Sequence, residues 1–100
     1  MEKPTPLSED AIKQALERLP GWSYGDDKLV KEFAFTDFVD SLSFINSLVA
    51  YFETMDHHPD VHIFYNKIKF ELTRYDAGGK VTDRDLEVAK KIEETYAGRK

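Results

Sequence analysis

The eight residues Glu53-Thr54-Met55-Asp56-His57-His58-Pro59-Asp60 concentrate the chemistry of this chain, with two adjacent histidines and three carboxylates. A long apolar run precedes them. Pro59 disfavours the helical conformation at His58, so a helix is expected to finish at or before the histidine pair. Two imidazoles, with an ordinary pKa near ~6.5, would then sit on a helix-to-strand corner where side chains can face a cleft. Glu53 stands four residues before His57, one helical turn back on the same face, so its carboxylate can reach that ring if the helix persists. A carboxylate behind a histidine fixes its tautomer and raises its basicity, as proton transfer requires. The competing reading is a polar helix end whose histidines are solvated or interact with the helix dipole. Metal ligation by His57, His58, His62 and Asp60 or Asp56 is a further alternative. Against it, adjacent histidines rarely both ligate one ion, and no His-Glu-x-x-His spacing is present.

A chain of 100 residues is expected to form one domain, spanning 1–100, with a single core. Its 41% hydrophobic and 13% aromatic content is that of a globular protein. With no cysteine, neither a disulfide scaffold nor a thiolate metal site is possible. The first residues carry no apolar signal core and no run approaches the ~18 apolar residues of a membrane span, so the expected location is cytoplasmic, without a membrane partner. A net charge of −5 with scattered basic residues argues against a nucleic-acid surface, which needs clustered Lys and Arg.

The elements that must position the histidines follow from capping and periodicity. Ser8 caps a first helix with Leu7 stapled onto Ile12; Ala11, Ile12, Ala15, Leu16 and Leu19 make its buried face, and Pro20-Gly21 stops it. A short strand at Trp22–Tyr24, a turn at Gly25-Asp26-Asp27 and a strand from Lys28 to Phe35 come next. Leu29, Phe33 and Phe35 share one face of that strand, and Lys31 on the same face suggests a strand end or edge. Thr36-Asp37 caps a central helix running to about Met55. Its stripe Phe38, Leu42, Ile45, Val49 and Phe52 joins a second, Phe44, Leu48, Tyr51 and Met55, into an apolar arc covering about half the circumference. That arc is read either as a helix wedged between sheet and helix or as partly a subunit interface. Val61–Tyr65 and Ile68–Tyr75 read as strands joined by a tight turn at Asn66-Lys67. Thr82-Asp83-Arg84-Asp85 resembles a capping box for a last helix that buries Val88, Ala89, Ile92 and Tyr96 and ends near Gly98. The order is α-β-β-α-β-β-α, which predicts an α+β fold with one four-stranded antiparallel sheet and helices packed on one face. The other face would carry His62, Phe64, Lys69, Glu71 and Tyr75.

Several of these residues together resemble the pterin-4a-carbinolamine dehydratase (DCoH) family. They are Glu53-x-x-x-His57-His58-Pro59-Asp60, Tyr65-Asn66-Lys67, Asp76-Ala77-Gly78-Gly79 and Asp83-Arg84-Asp85, with Gly21-Trp22 and the segment Lys31 to Phe38 in support. The resemblance covers nearly the whole chain. It implies the same α+β fold, assembled as a homodimer or homotetramer. The activity it implies is a hydro-lyase reaction: dehydration of 4a-hydroxytetrahydropterin to quinonoid dihydropterin, in tetrahydrobiopterin recycling, with no metal and no cofactor. It also implies that Asp56, His57, His58 and Pro59 border a small-molecule pterin, with His57 and His58 the acid-base pair and Glu53 holding a histidine. Thr73, Arg74, Tyr75 and Asp76 would complete the pocket from the opposite side. The alternative is a non-catalytic pterin-binding or dimerisation module of the same fold. One departure stands out, since the family commonly has a third histidine where this chain has Tyr75. A phenol with a pKa near ~10 can donate a hydrogen bond but shuttles protons poorly at neutral pH.

Overall fold

The computed structural model describes residues 5–74 and 78–99. Its elements are α1 (Glu9–Leu16), β1 (Ser23–Gly25), β2 (Lys28–Ala34), α2 (Phe38–Met55), β3 (Asp60–Phe64), β4 (Lys67–Leu72) and α3 (Asp83–Ala97), in the expected order. The four strands form one antiparallel sheet in the order β1-β2-β4-β3. The core lies between one face of this sheet and the helices. Leu29 and Phe33 of β2 and Ile68, Phe70 and Leu72 of β4 meet Ile12 of α1, Phe44, Leu48 and Phe52 of α2, and Val88, Ala89 and Ile92 of α3, all buried. Alternation on the strands thus feeds one apolar face, as a half-buried sheet requires.

Two local differences from the sequence reading have identifiable causes. The regular part of α1 stops at Leu16, and the chain then tightens through main-chain bonds from Arg18 to Ala15 and from Leu19 to Leu16. That brings Leu19 into the core before Pro20. The β3–β4 turn falls on Tyr65-Asn66 rather than Asn66-Lys67, because Phe64 pairs with Lys67. Tyr65 takes a left-handed φ of 56° there. The turn is pinned from outside, since the Tyr65 carbonyl accepts from the Ser41 hydroxyl at 3.2 Å and the Asn66 carbonyl from the Phe35 N–H at 2.7 Å. The edge that Lys31 suggested is present: β1 pairs only with Lys28–Val30, so β2 is an edge from Lys31 onward on that side. There the Lys31 ammonium bonds the Pro20 carbonyl at 2.9 Å and Glu93, whose carboxylate also accepts from the Trp22 indole at 2.9 Å.

The apolar arc of α2 divides. Phe44, Leu48 and Phe52 enter the core, whereas Phe38, Leu42 and Val49 stay exposed. Among the described residues no helix is long and apolar enough to cross a membrane.

Candidate functional site at the carboxyl end of the central helix

α2 does not run into the histidine pair. It closes at Asp56, which adopts φ 49°, ψ 46°, a left-handed conformation that a short polar side chain tolerates. The Asp56 N–H returns to the Glu53 carbonyl at 3.2 Å and the His57 N–H to the Phe52 carbonyl at 3.1 Å, the two bonds of a Schellman closure. This reversal, three residues ahead of Pro59, turns His57 inward and leaves His58 outside.

The two histidines consequently live in different media. His57 is only 3% exposed, and its Nε2 bonds Oδ1 of the fully buried Asp85. His58 is exposed and its Nε2 lies 2.6 Å from Oε2 of the equally exposed Glu53. Glu53 therefore stands behind His58, not His57. The four-residue spacing to His57 would have worked on a continuous helix, but the left-handed residue at Asp56 breaks that face.

Asp85, the partner of His57, is the residue at this corner that the sequence did not single out. It is the third residue of α3, and its Oδ2 accepts from the Thr82 N–H at 2.7 Å and the Thr82 hydroxyl at 3.0 Å; the first of these, with the Asp85 N–H reaching the Thr82 side chain, forms the expected capping box. A capping box read as finished business hides a free oxygen. Aspartate is shorter than the usual Glu or Gln, and the substitution itself was the available signal.

The opposite wall comes from the end of β4. Arg74 donates from Nη1 to the Asp56 carbonyl at 2.6 Å, tying that strand to the helix-to-strand corner. Thr73 is buried, and its hydroxyl has no hydrogen-bond partner among the described residues; a buried polar atom left without a partner calls for an explanation. Pro59 is half-buried beside the corner. Tyr75 and Asp76 lie outside the described residues. Asp56, His57, His58, Pro59 and Arg74 are thus gathered at one corner, with Thr73 next to Arg74 in the chain. A cavity of about 780 Å³ lies elsewhere, between α1 and α3, and none of the histidines lines it.

His62 belongs to neither group. It projects from the solvent face of the sheet, 3.6 Å from Glu71, which also receives Lys28 at 3.3 Å and Lys69 at 3.4 Å. Burial works to raise the Glu71 carboxyl, but the hydrogen bonds from the two lysines outweigh it and hold it below its ordinary range. The three histidines are therefore held by three different carboxylates, and their proposed meeting on one ion has no support in this arrangement.

A family profile described as "Pterin 4 alpha carbinolamine dehydratase" matches residues 5–95. The chain belongs to this family. The family is named for a hydro-lyase, and relatives named after pterin-4-alpha-carbinolamine dehydratase occur in distant organisms. One from Sulfurisphaera tokodaii is 44% identical over 88 residues, covering 88% of this chain and 94% of the relative. Another, from Aquifex aeolicus, is 38% identical over 88 residues, covering 88% of each. A solved structure titled as a transcriptional coactivator/pterin dehydratase from Brucella melitensis superposes with a TM-score of 0.85 at 29% identity, covering 91% of this chain and 98% of that one.

The two His–carboxylate pairs should differ sharply in energetic weight. Breaking a buried pair leaves a partner without compensation and costs about 3 kcal/mol or more, whereas an exposed pair contributes ~1 kcal/mol or less. Urea unfolding of Asp85→Ala should show the larger loss and Glu53→Ala the smaller. Equal losses would mean that Asp85 does not carry the corner.

Proposed function

We propose that this protein dehydrates a 4a-hydroxytetrahydropterin to the quinonoid dihydropterin. Membership in the dehydratase family gives the reaction class, and one observation carries the residue assignment: His57 is buried with its Nε2 engaged by Asp85, next to an exposed His58 backed by Glu53. The reaction breaks the C4a–O bond, expels water and removes the N5 proton as the N5=C4a double bond forms. It therefore needs an acid at the hydroxyl and a base at N5.

An ionised carboxylate only accepts, so His57 meets Asp85 with Nε2–H and offers Nδ1 as the basic nitrogen. Asp85 then stabilises the imidazolium formed when the N5 proton arrives, as a buried carboxylate does behind a catalytic histidine. His58, held by Glu53 at the open side, delivers the proton to the departing hydroxyl. The Thr73 hydroxyl, without a partner among the described residues, supports a polar ligand edge on the opposite wall. Arg74 keeps that wall in place through the Asp56 carbonyl.

The purified protein should accelerate this dehydration over its spontaneous rate. His58→Ala should lower turnover at least about tenfold with an unchanged unfolding midpoint, since general acid catalysis contributes roughly 10²–10⁴-fold and an exposed side chain packs little. His57 is not the solvated cleft histidine expected from sequence. Its replacement by Ala should therefore lower both turnover and midpoint, because Asp85 loses the donor that faces its Oδ1. No acceleration by the wild-type protein, or full turnover in His58→Ala, would contradict the assignment.

A homo-oligomer fits the same chain. Phe38, Leu42 and Val49 are 45%, 37% and 46% exposed on one stripe of α2, an apolar face that a second copy could cover in a symmetric dimer or tetramer. The coactivator half of the neighbour's title makes a non-catalytic pairing role on this stripe the second reading. Sedimentation at micromolar concentration should find an oligomer that Leu42→Glu dissociates; a monomeric wild type would remove this proposal.

A further inference from the structure

The two oxygens of Asp85 face different partners. Oδ1 meets His57, and Oδ2 receives two donors from one residue, the N–H and the hydroxyl of Thr82. Both Asp85 and Thr82 are fully buried. Thr82 is itself held by a strand-like pairing with the segment before α1. The Leu7 N–H reaches the Val81 carbonyl at 2.9 Å and the Asp83 N–H reaches the Thr5 carbonyl at 3.2 Å. A carboxylate placed this way cannot turn without stranding two donors out of reach of water, which is costly. Thr82 therefore demands an acceptor at the Oδ2 position, and Oδ1 is left aimed at the imidazole.

A neutral imidazole has one N–H, so the partner of Nε2 decides what Nδ1 can do. We propose that Thr82 is a positioning residue: acting through Asp85, it fixes the tautomer in which His57 carries its proton on Nε2 and keeps Nδ1 bare. The value of that tautomer for catalysis rests on the dehydratase reading, but its origin in Thr82 does not.

Asp85→Asn tests this, because the amide has one acceptor and one donor to distribute. If Thr82 dictates, the amide oxygen takes the Oδ2 position, the NH₂ faces His57, and the ring proton moves to Nδ1. A carboxylate-to-amide change behind a catalytic histidine enforces the wrong tautomer in this way. Ring ¹⁵N shifts of His57 at about pH 9, above the ordinary histidine range, read the tautomer in ligand-free protein. The expected results are Nε2–H in the wild type and Nδ1–H in Asp85→Asn. Adding Thr82→Val, which removes the hydroxyl donor, should give a mixture of the two forms, and adding Thr82→Ser should not.

Should Asp85→Asn fail to fold, solvent exchange of the wild-type His57 Nε2 proton decides. It should quicken about tenfold in Thr82→Val, as expected for losing one hydrogen bond, and stay at the wild-type rate in Thr82→Ser. Retention of Nε2–H in Asp85→Asn, or Thr82→Val behaving as Thr82→Ser in either measurement, would overturn the proposal. None of these readouts uses substrate. A wild type without turnover would therefore remove the reaction and leave the role of Thr82 to be decided by the shifts.

Discussion

The contact between His57 and Asp85 joins the residue just past the cap of α2 to the first turn of α3, two places 28 residues apart in the chain. Most of what is unusual nearby exists to make that contact possible. The left-handed Asp56 turns His57 inward, the Schellman bonds close α2 above it, and the capping box brings Asp85 to meet it. Arg74 then secures the corner from the side of the sheet. An ionisable pair taken out of water is tolerated only when its geometry is good and its remaining polar atoms are satisfied. Asp85 meets that condition with three partners.

Burial sets the two histidines apart. The Glu53–His58 pair sits in solvent, where an ion pair contributes ~1 kcal/mol or less and its side chains can move. That would suit the proposed role of His58, which must approach and leave a departing hydroxyl. The His57–Asp85 pair is buried, and in the proposed reaction a base held rigidly in one orientation would spare the reorganisation that free side chains need. The same rigidity makes His57 a structural residue as well, so activity and stability are expected to fall together when it is changed.

Much of the fold was legible because it rests on local rules. Ser8, Asp37 and Thr82 cap the helices where capping chemistry predicts, and alternation along β2 and β4 identified the buried face of the sheet. The site was only partly legible. Pro59 signalled that α2 must stop, but which residue would take the left-handed conformation was not written in any spacing, and that choice reassigned Glu53 from His57 to His58. The partnership of Asp85 with His57 depends on how α3 packs beside α2, a tertiary fact with no periodicity to betray it. The Tyr65-Asn66 turn slipped by one residue for the same reason, being held by Ser41 and Phe35 from other elements. The apolar arc of α2 was legible too, but not which of its residues would enter the core and which would stay exposed.

The account turns on whether the His57 corner is where a pterin binds. A crystal structure with a dihydropterin bound would test that most directly. The ring is expected against His57 and His58, with N5 within hydrogen-bond reach of His57 Nδ1, the C4a edge toward His58, and the Thr73 hydroxyl satisfied by the ligand. A pterin seated in the groove between α1 and α3 or on the open face of the sheet, away from both histidines, would contradict it.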